Sequence, residues 1–437
     1  MKLYRLLFSL LCVFLLASCA VFKGREWRKG RKIEREVLRS PVFSRAFTGF
    51  VLMEPLAGKV LADFQGDRYF TPASNVKILT LATCLEILRD SVPGVHYVYA
   101  GDSLIFRGAA DPAFLHPDFA AWQPWWKILR NTRYSLFYDE RAFDEPRFGA
   151  GWAWDDYNED YQVERSAMPL YGNAIRLTLN RTDARVEPPF FQPNVVFQRP
   201  GAPERLNGIT RTEHNNVWMI PESVQTADAI LPVYNPNPAR LLSDTLKRAV
   251  GELRNGERRN WKTFYSTPLD TVLRRMMYQS DNFVAEQLLL ACAGEKWGLL
   301  QQDTLMQWML DSVWQLPQRP RWVDGSGLSR YNLVSPLDLS QVLHRMWKMQ
   351  PPERLLPLFP AGGVQGTLQD WYAGENGKAY VFAKTGSMSG VHCLSGYVRC
   401  NSGKVLIFSF MHNHFVGSNR DWKTEMQRIL EMIRDEF

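Results

Sequence analysis

The stretch PASNVKILTLATCLEILRD, residues 72–90, decides how the rest of the chain is read. Pro72 opens it, and apolar side chains follow at 78, 79, 82, 85 and 88, the spacing of a buried helix. Ser74 and Lys77 stand three apart at its start, so one helical turn brings hydroxyl and amine onto the same face, within hydrogen-bond reach. A serine in a first turn also has a backbone N–H that can donate to an oxyanion. Lysine acts as a base only when burial or a second cation pulls its pKa down from about 10.4. Alone, Ser-x-x-Lys is a common coincidence, and a solvated helix start is the better reading of it.

Upstream, TGFVLMEPLAGKVLADFQ reads as two short strands joined by a turn at Ala57-Gly58. Downstream the character changes from residue 91 to 265. Turn signals recur at Gly101-Asp102, Asp111-Pro112 and Asn235-Pro236, between β-like runs such as SLIFRG, YSLFYD, AIRLTLN and NVVFQR. This is β-rich material inserted into a larger unit. Helical periodicity returns in TPLDTVLRRMMYQSDNFVAEQLLLACAG, TLMQWMLDSVWQL and SPLDLSQVLHRMW. The end reads as strand, turn, strand and helix. The expected division is 48–90 with 266–437 as one domain and 91–265 as an inserted region of one or two domains.

The N-terminus carries a basic MKLYR followed by the apolar LLFSLLCVFLLA, a secretory signal. Leu16-Ala17-Ser18-Cys19 resembles a bacterial lipobox, which makes residues 1–19 a lipoprotein-type signal and Cys19 the lipidated residue. A plain signal peptide with an incidental Cys19 is the alternative. Either way the protein works outside the cytoplasm, in the cell envelope or periplasm. Residues 20–47 hold a basic run, GREWRKGRKIERE, that reads as a solvated tether rather than a specific phospholipid contact.

The chain has 437 residues with 46% hydrophobic and 22% charged, a globular composition too long for one ordinary domain. A mean hydropathy of −0.27 and a single near-membrane-length run exclude a polytopic membrane protein. A net charge of +7 is too thin to argue for nucleic acid, though it tolerates an acidic polymer such as cell wall. The six cysteines show no CxxC, which excludes a zinc ribbon or a disulfide scaffold. Cys393 and Cys400, seven apart in one predicted strand, fall on opposite faces. His412-Asn413-His414 has the spacing of two metal ligands without a third, so a strand end is the better reading and no metal is expected.

Two further motifs join the first. Ser280-Asp281-Asn282 lies in YQSDNFVAEQLL, where a helix N-cap with Glu286 nearby is the ordinary explanation. Lys384-Thr385-Gly386-Ser387 follows Ala379-Tyr380-Val381-Phe382 on a strand. Glycine in an edge strand lets an extended peptide approach the backbone, and lysine supplies a cation for a carboxylate. Alternation puts Lys384 and Gly386 on one face and Thr385 on the other.

Ser-x-x-Lys, Ser-Asp-Asn and Lys-Thr-Gly in this order are the signature of penicillin-interacting serine enzymes. The gap of about 200 residues between Lys77 and Ser280 is too long for a compact β-lactamase, and no Glu-x-x-Leu-Asn segment occurs. PASNVKILT, SDNFVAEQLL, DGSGLSRYNLVSP (324–336), AGGVQGTL (361–368), AKTGSMSGVHCLSGYV (383–398) and VLIFSFMHN (405–413) resemble the class C low-molecular-mass penicillin-binding proteins, the D-Ala-D-Ala carboxypeptidase/endopeptidase family of penicillin-binding protein 4 type. FRGAADPAF, DERAFDEPRFGAGWAW and YGNAIRLTLN resemble its added domains more loosely. Met388 stands where the family more often has leucine, a volume-conserving change.

The resemblance implies an α/β (α+β) fold, a serine β-lactamase/transpeptidase-like core with an antiparallel sheet flanked by helices, interrupted by the β-rich insertion. It implies that Ser74 attacks the carbonyl between terminal D-alanines or at a D-Ala cross-link, with Lys77 as its base. Ser280 relays a proton to the leaving amine, and Asn282 holds Lys77 and the substrate amide. Lys384 lowers its neighbours' pKa and, with Thr385, holds the terminal carboxylate beside Gly386. Backbone N–H groups of Ser74 and Ser387 form the oxyanion hole. Asp139 receives the amino group of the stem-peptide side chain, with a turn-forming aspartate as the alternative. The implied partners are peptidoglycan stem peptides, β-lactam antibiotics and a membrane reached through a lipid anchor; no cofactor is implied. Competing readings are a β-lactamase or penicillin sensor, and a catalytically idle lipoprotein that binds peptidoglycan through Trp122, Trp125, Trp126, Trp152 and Trp154, for which core packing is the ordinary role.

Overall fold

The computed structural model describes residues 26–140, 143, 145–181, 183–198, 208–253 and 259–437, so the signal segment and Cys19 lie outside the described residues. The chain forms two compact units, the first from residues up to 79 with 314–322 and 332–437, the second from 80–313 with 323–331. This division differs from the expected one at 90 and 266. The helices Leu269–Tyr278 and Asn282–Trp297 group with the β-rich material, as does most of the helix Lys77–Ile87. Cys84 and Cys292, buried with their sulfurs 3.8 Å apart, mark one contact between those helices.

The first unit is built on a five-stranded antiparallel sheet. Its order is Val381–Met388, Val391–Arg399, Val405–Asn413, Phe47–Glu54, Lys59–Phe64, so the first two strands in the chain complete a sheet begun by the last three. Alternation sorts the faces. Phe50, Leu52, Leu394, Val398, Phe408 and Phe410 point into an apolar cluster covered by the C-terminal helix Arg420–Glu436 through Met426, Ile429 and Ile433. On the other face, Tyr397 donates its hydroxyl to the Leu343 carbonyl of helix Pro336–Met349 at 2.8 Å. Cys393 and Cys400 do separate: Cys400 sits just past the strand in the apolar cluster, whereas Cys393 faces the Thr71 carbonyl.

Residues 26–39 depart from the expected solvated tether. They form a helix whose Ile33 and Val37 are buried in the same cluster as the C-terminal helix. Six cations among fourteen residues hid this stripe, because composition pointed to solvent while only two apolar positions carry the packing.

The second unit holds a mixed five-stranded sheet, order Val250–Leu253, Ser135–Asp139, Ser103–Gly108, Ser91–Ala100, Lys262–Pro268, with parallel pairing on both sides of Ser135–Asp139. Two three-stranded sheets accompany it. The expected tryptophan group splits: Trp125 is core, Trp152 donates to the Asp324 carboxylate at 2.9 Å, and Trp154 is 80% exposed. Asp324 also accepts from the backbone N–H groups of Gly327 and Ser329 at 2.8 and 2.7 Å, so the Asp-Gly-Ser-Gly block folds around one carboxylate.

Candidate active site

In the first unit, Ser74 lies in a short 3-10 turn, Ala73–Val76, that feeds the helix beginning at Lys77. Ala73, just before it, has φ +47°, a left-handed conformation that costs a residue with a Cβ roughly 1–3 kcal/mol. Such strain persists only where surrounding contacts impose it. Here Asn75, fully buried, donates from Nδ2 to Ser395 Oγ at 2.9 Å, and Ser395 shares a 2.9 Å hydrogen bond with Ser409 on the next strand. The turn is thereby bolted to the centre of the sheet.

Lys77 Nζ donates to Ser74 Oγ at 3.1 Å, the contact that three-residue spacing predicts. With the amine neutral the same contact runs in reverse, and the nitrogen lone pair can take the hydroxyl proton. Lys77 and Lys384 are both fully buried, rare for lysine outside functional sites. Burial first, and the Lys77 ammonium second, push Lys384 well below the usual lysine range. The two amines therefore resist being charged together.

Lys384 belongs to Val381–Met388, the edge strand of the sheet, and its Nζ donates to the Thr385 carbonyl at 2.8 Å. Lys384 and Gly386 are buried and Thr385 half-exposed, as alternation requires; Thr385 Oγ1 donates to Thr367 Oγ1 at 3.1 Å. Gly386 meets the nucleophile turn backbone to backbone. A Cβ there would lie 2.3 Å from the Pro72 carbonyl oxygen, 3.0 Å from Asn75 N and 3.3 Å from Ser74 N. Only glycine lets the strand come this close. The structure thus brings Ser74, Lys77, Lys384 and Gly386 together inside one unit.

Ser280-Asp281-Asn282 belongs to the second unit, between the helices Leu269–Tyr278 and Asn282–Trp297. Ser280 has φ +56°, and the N-cap is Asp281, whose Oδ1 accepts from Val284 N and Oδ2 from Arg275 Nε, both at 3.0 Å. Asn282 Nδ2 donates to the Tyr161 carbonyl at 3.0 Å. The motif lines a cavity of about 250 Å³ with His116, Tyr161 and Arg176 in its wall. Burial pushes His116 down to about 4, so it is neutral at physiological pH. Glu286 is not part of the cap. It is buried, accepts from Ser326 N at 2.8 Å, and is pushed up to about 7 by burial and then by Asp324.

Asp139 ends the strand Ser135–Asp139 and is only 3% exposed. Its charge faces Arg107, whose guanidinium is lowered by burial and pulled back up by Asp139.

Sequence reasoning missed His392. It is buried and shares a 2.9 Å hydrogen bond with Ser387 Oγ, its register partner across the hairpin. Because Ser387 points to the face opposite Gly386, His392 holds the end of the motif strand from behind. The signal was present: a two-residue Ser389-Gly390 turn sets this pairing once the hairpin is recognised. Burial pushes His392 down to about 3, so it works as a neutral hydrogen-bonding group.

The D-Ala-D-Ala carboxypeptidase 3 (S13) family matches residues 31–212 and 244–435. The D-alanyl-D-alanine carboxypeptidase DacB of Haemophilus influenzae is 23% identical over 440 residues, covering 89% of each chain. The D-alanyl-D-alanine carboxypeptidase of Actinomadura sp. is 25% identical, covering 87% of this chain and 80% of that one. In fold, the chain is similar to the crystal structure of penicillin binding protein 4 from Haemophilus influenzae, with a TM-score of 0.71 at 19% identity, covering 92% of this chain and 99% of the other. The family match takes in all three motifs and most of both units, and the chain belongs to the D-Ala-D-Ala carboxypeptidase 3 (S13) family of serine-type carboxypeptidases.

Proposed function

We propose that Ser74 is the nucleophile of this carboxypeptidase/endopeptidase and that Lys77 is its base. The observation that carries the reading is the 3.1 Å contact between Ser74 Oγ and a fully buried Lys77 amine, beside a second buried lysine. Ser74 Oγ bonds to the carbonyl carbon of the penultimate D-alanine while Lys77 takes the hydroxyl proton. The developing oxyanion is held by backbone N–H groups of Ser74 and Ser387. The C–N bond breaks, the leaving amine receives a proton through Ser280, and D-alanine, or the stem peptide whose side-chain amine made the cross-link, departs. Water then attacks the ester and frees Ser74. Asn282 holds Lys77 and the substrate amide, while Lys384 and Thr385 hold the terminal carboxylate. A carboxylate entering beside Lys384 favours its charged form and offsets its burial. The reading needs no metal or cofactor.

Asp139, whose charge acts on Arg107, serves in this proposal as the receiver of the stem-peptide amino group. The protein acts outside the cytoplasm on cell wall, and a lipid on Cys19 anchors it.

Benzylpenicillin mimics the terminal D-Ala-D-Ala, so incubation should add one penicilloyl mass to the peptide containing Ser74. Ser74→Ala should abolish the adduct without unfolding the protein. An adduct on another peptide, or none on folded protein, refutes the assignment. Rapid turnover of a chromogenic cephalosporin would point instead to a β-lactamase, and digestion of cross-linked against uncross-linked muropeptides separates endopeptidase from carboxypeptidase action.

A further inference from the structure

Helix 26–39 is held by one stripe and presents three of its six cations, Arg28, Arg35 and Arg39, on the opposite side, while Lys29 and Lys32 reach back to Glu436 and Arg31 pairs with Glu34. Gly30, Ile33 and Val37 recur at three- and four-residue spacing and are buried. The approach is backbone to backbone, since a Cβ on Gly30 would lie 1.9 Å from the Leu61 carbonyl oxygen. Ion pairs from Glu26 to Lys404 at 2.6 Å and from Glu36 to Arg428 at 3.1 Å fix its rotation.

At about 100° per residue, Arg28, Arg35 and Arg39 lie almost directly opposite the buried stripe. All three are exposed, and none forms an ion pair with a described residue. Trp27 and Leu38, eleven positions apart and so nearly in line, are each 59% exposed along one flank of this ridge. The helix holds six basic and three acidic residues. Each acid is already engaged, Glu26 with Lys404, Glu34 with Arg31 and Glu36 with Arg428. An arginine ridge flanked by an exposed tryptophan and leucine has the chemistry of a helix lying at an anionic lipid–water interface.

We propose that this face rests on an anionic phospholipid surface and holds the first unit against it. The chain length before the helix supports the same occupant. Residues 20–25 lie between Cys19 and the first described residue of the helix, and a residue spans about 3.6 Å at most, so a lipid on Cys19 keeps residue 26 within roughly 25 Å of the bilayer. Within that reach, docking is intramolecular and needs little intrinsic affinity. The inference rests on the anchor reading for this tether, but the arginine face is independent of it.

The test uses the processed chain, residues 19–437, with Cys19→Ser so that no lipid contributes. It should sediment with phosphatidylglycerol-containing vesicles and not with pure phosphatidylcholine, and high salt should release it. Trp27 emission should shift to the blue on binding. Each arginine removed should weaken binding about fivefold, so Arg28→Gln/Arg35→Gln/Arg39→Gln should weaken it about a hundredfold while penicillin acylation in solution is unchanged. Equal binding to both vesicle types, or an unchanged triple variant, overturns the proposal. Tighter binding to purified sacculi than to vesicles also overturns it, since the face would then be a peptidoglycan contact. The mass of the Cys19 peptide from cells tests the anchor separately. An unlipidated Cys19 with salt-sensitive vesicle binding refutes the anchor and leaves the face, and the converse result does the reverse.

Discussion

Gly386→Ala is the substitution whose effect can be worked most directly from the coordinates. The added methyl would sit 2.3 Å from the Pro72 carbonyl oxygen, against an ordinary contact of 3.4 Å or more. The obstacle is backbone, part of a turn that Asn75 ties to Ser395, so no side chain can rotate away. Strand and turn must therefore separate by about 1 Å. That strand carries Ser387, whose N–H is the second donor to the oxyanion in the proposed mechanism, and a misplacement of about 1 Å in a positioned site loses on the order of a hundredfold in rate. The core behind the strand is untouched, because Val381 and Ala383 face the apolar cluster on the opposite side. Acylation by a fluorescent penicillin, followed in single turnover, should slow about a hundredfold, while the melting temperature shifts far less than a core truncation would shift it. The comparison is made on rate rather than on yield, since a slow acylation still goes to completion. Acylation within about threefold of wild type would refute the claim that this close approach sets the catalytic geometry.

Three further outcomes follow from other residues. His392→Phe removes the hydrogen bond to Ser387 and should slow acylation about two- to tenfold. It should also flatten acid unfolding: a histidine depressed from 6.5 to about 3 in the folded state loses on the order of 5 kcal/mol of stability as pH falls across that window, which melting curves at several pH values will show. Glu286 runs the other way, its rise from 4.5 to about 7 giving stability that is complete below pH 4.5 and lost, by on the order of 3 kcal/mol, as pH climbs from 4.5 through 7. Glu286→Gln should remove that decline in melting temperature between pH 4.5 and 7. Asp139→Asn should slow hydrolysis of native muropeptides ten- to a hundredfold and barely change a diacetyl-Lys-D-Ala-D-Ala peptide, through loss of a charge-assisted bond of about 1.5–3 kcal/mol. An equal effect on both substrates would leave Asp139 a structural role and refute amine recognition.

What could be read from the sequence divides by how far apart the interacting residues are. Ser74 and Lys77 were legible because three residues on a helical turn fix their own geometry, whatever surrounds them. Lys384, Thr385 and Gly386 were legible as far as alternation reaches, which sorts them onto faces without saying what each face meets. That Gly386 meets the Pro72 carbonyl required a contact across more than 300 residues, and no local rule supplies one. His392 was hidden for a smaller reason. Its partner lies only five residues away, but the pairing depends on hairpin register, and a one-residue slip would turn the imidazole to the other face. The N-terminal helix was misread because charge is a surface average, whereas burial is decided by which positions align. Gly30, Ile33 and Val37 align, and six surrounding cations do not alter that. The same alignment that buries those three turns Arg28, Arg35 and Arg39 outward together. The basic run is therefore an oriented charge pattern. Its orientation comes from the packing stripe, since a free tether of the same composition would present its arginines in no fixed direction.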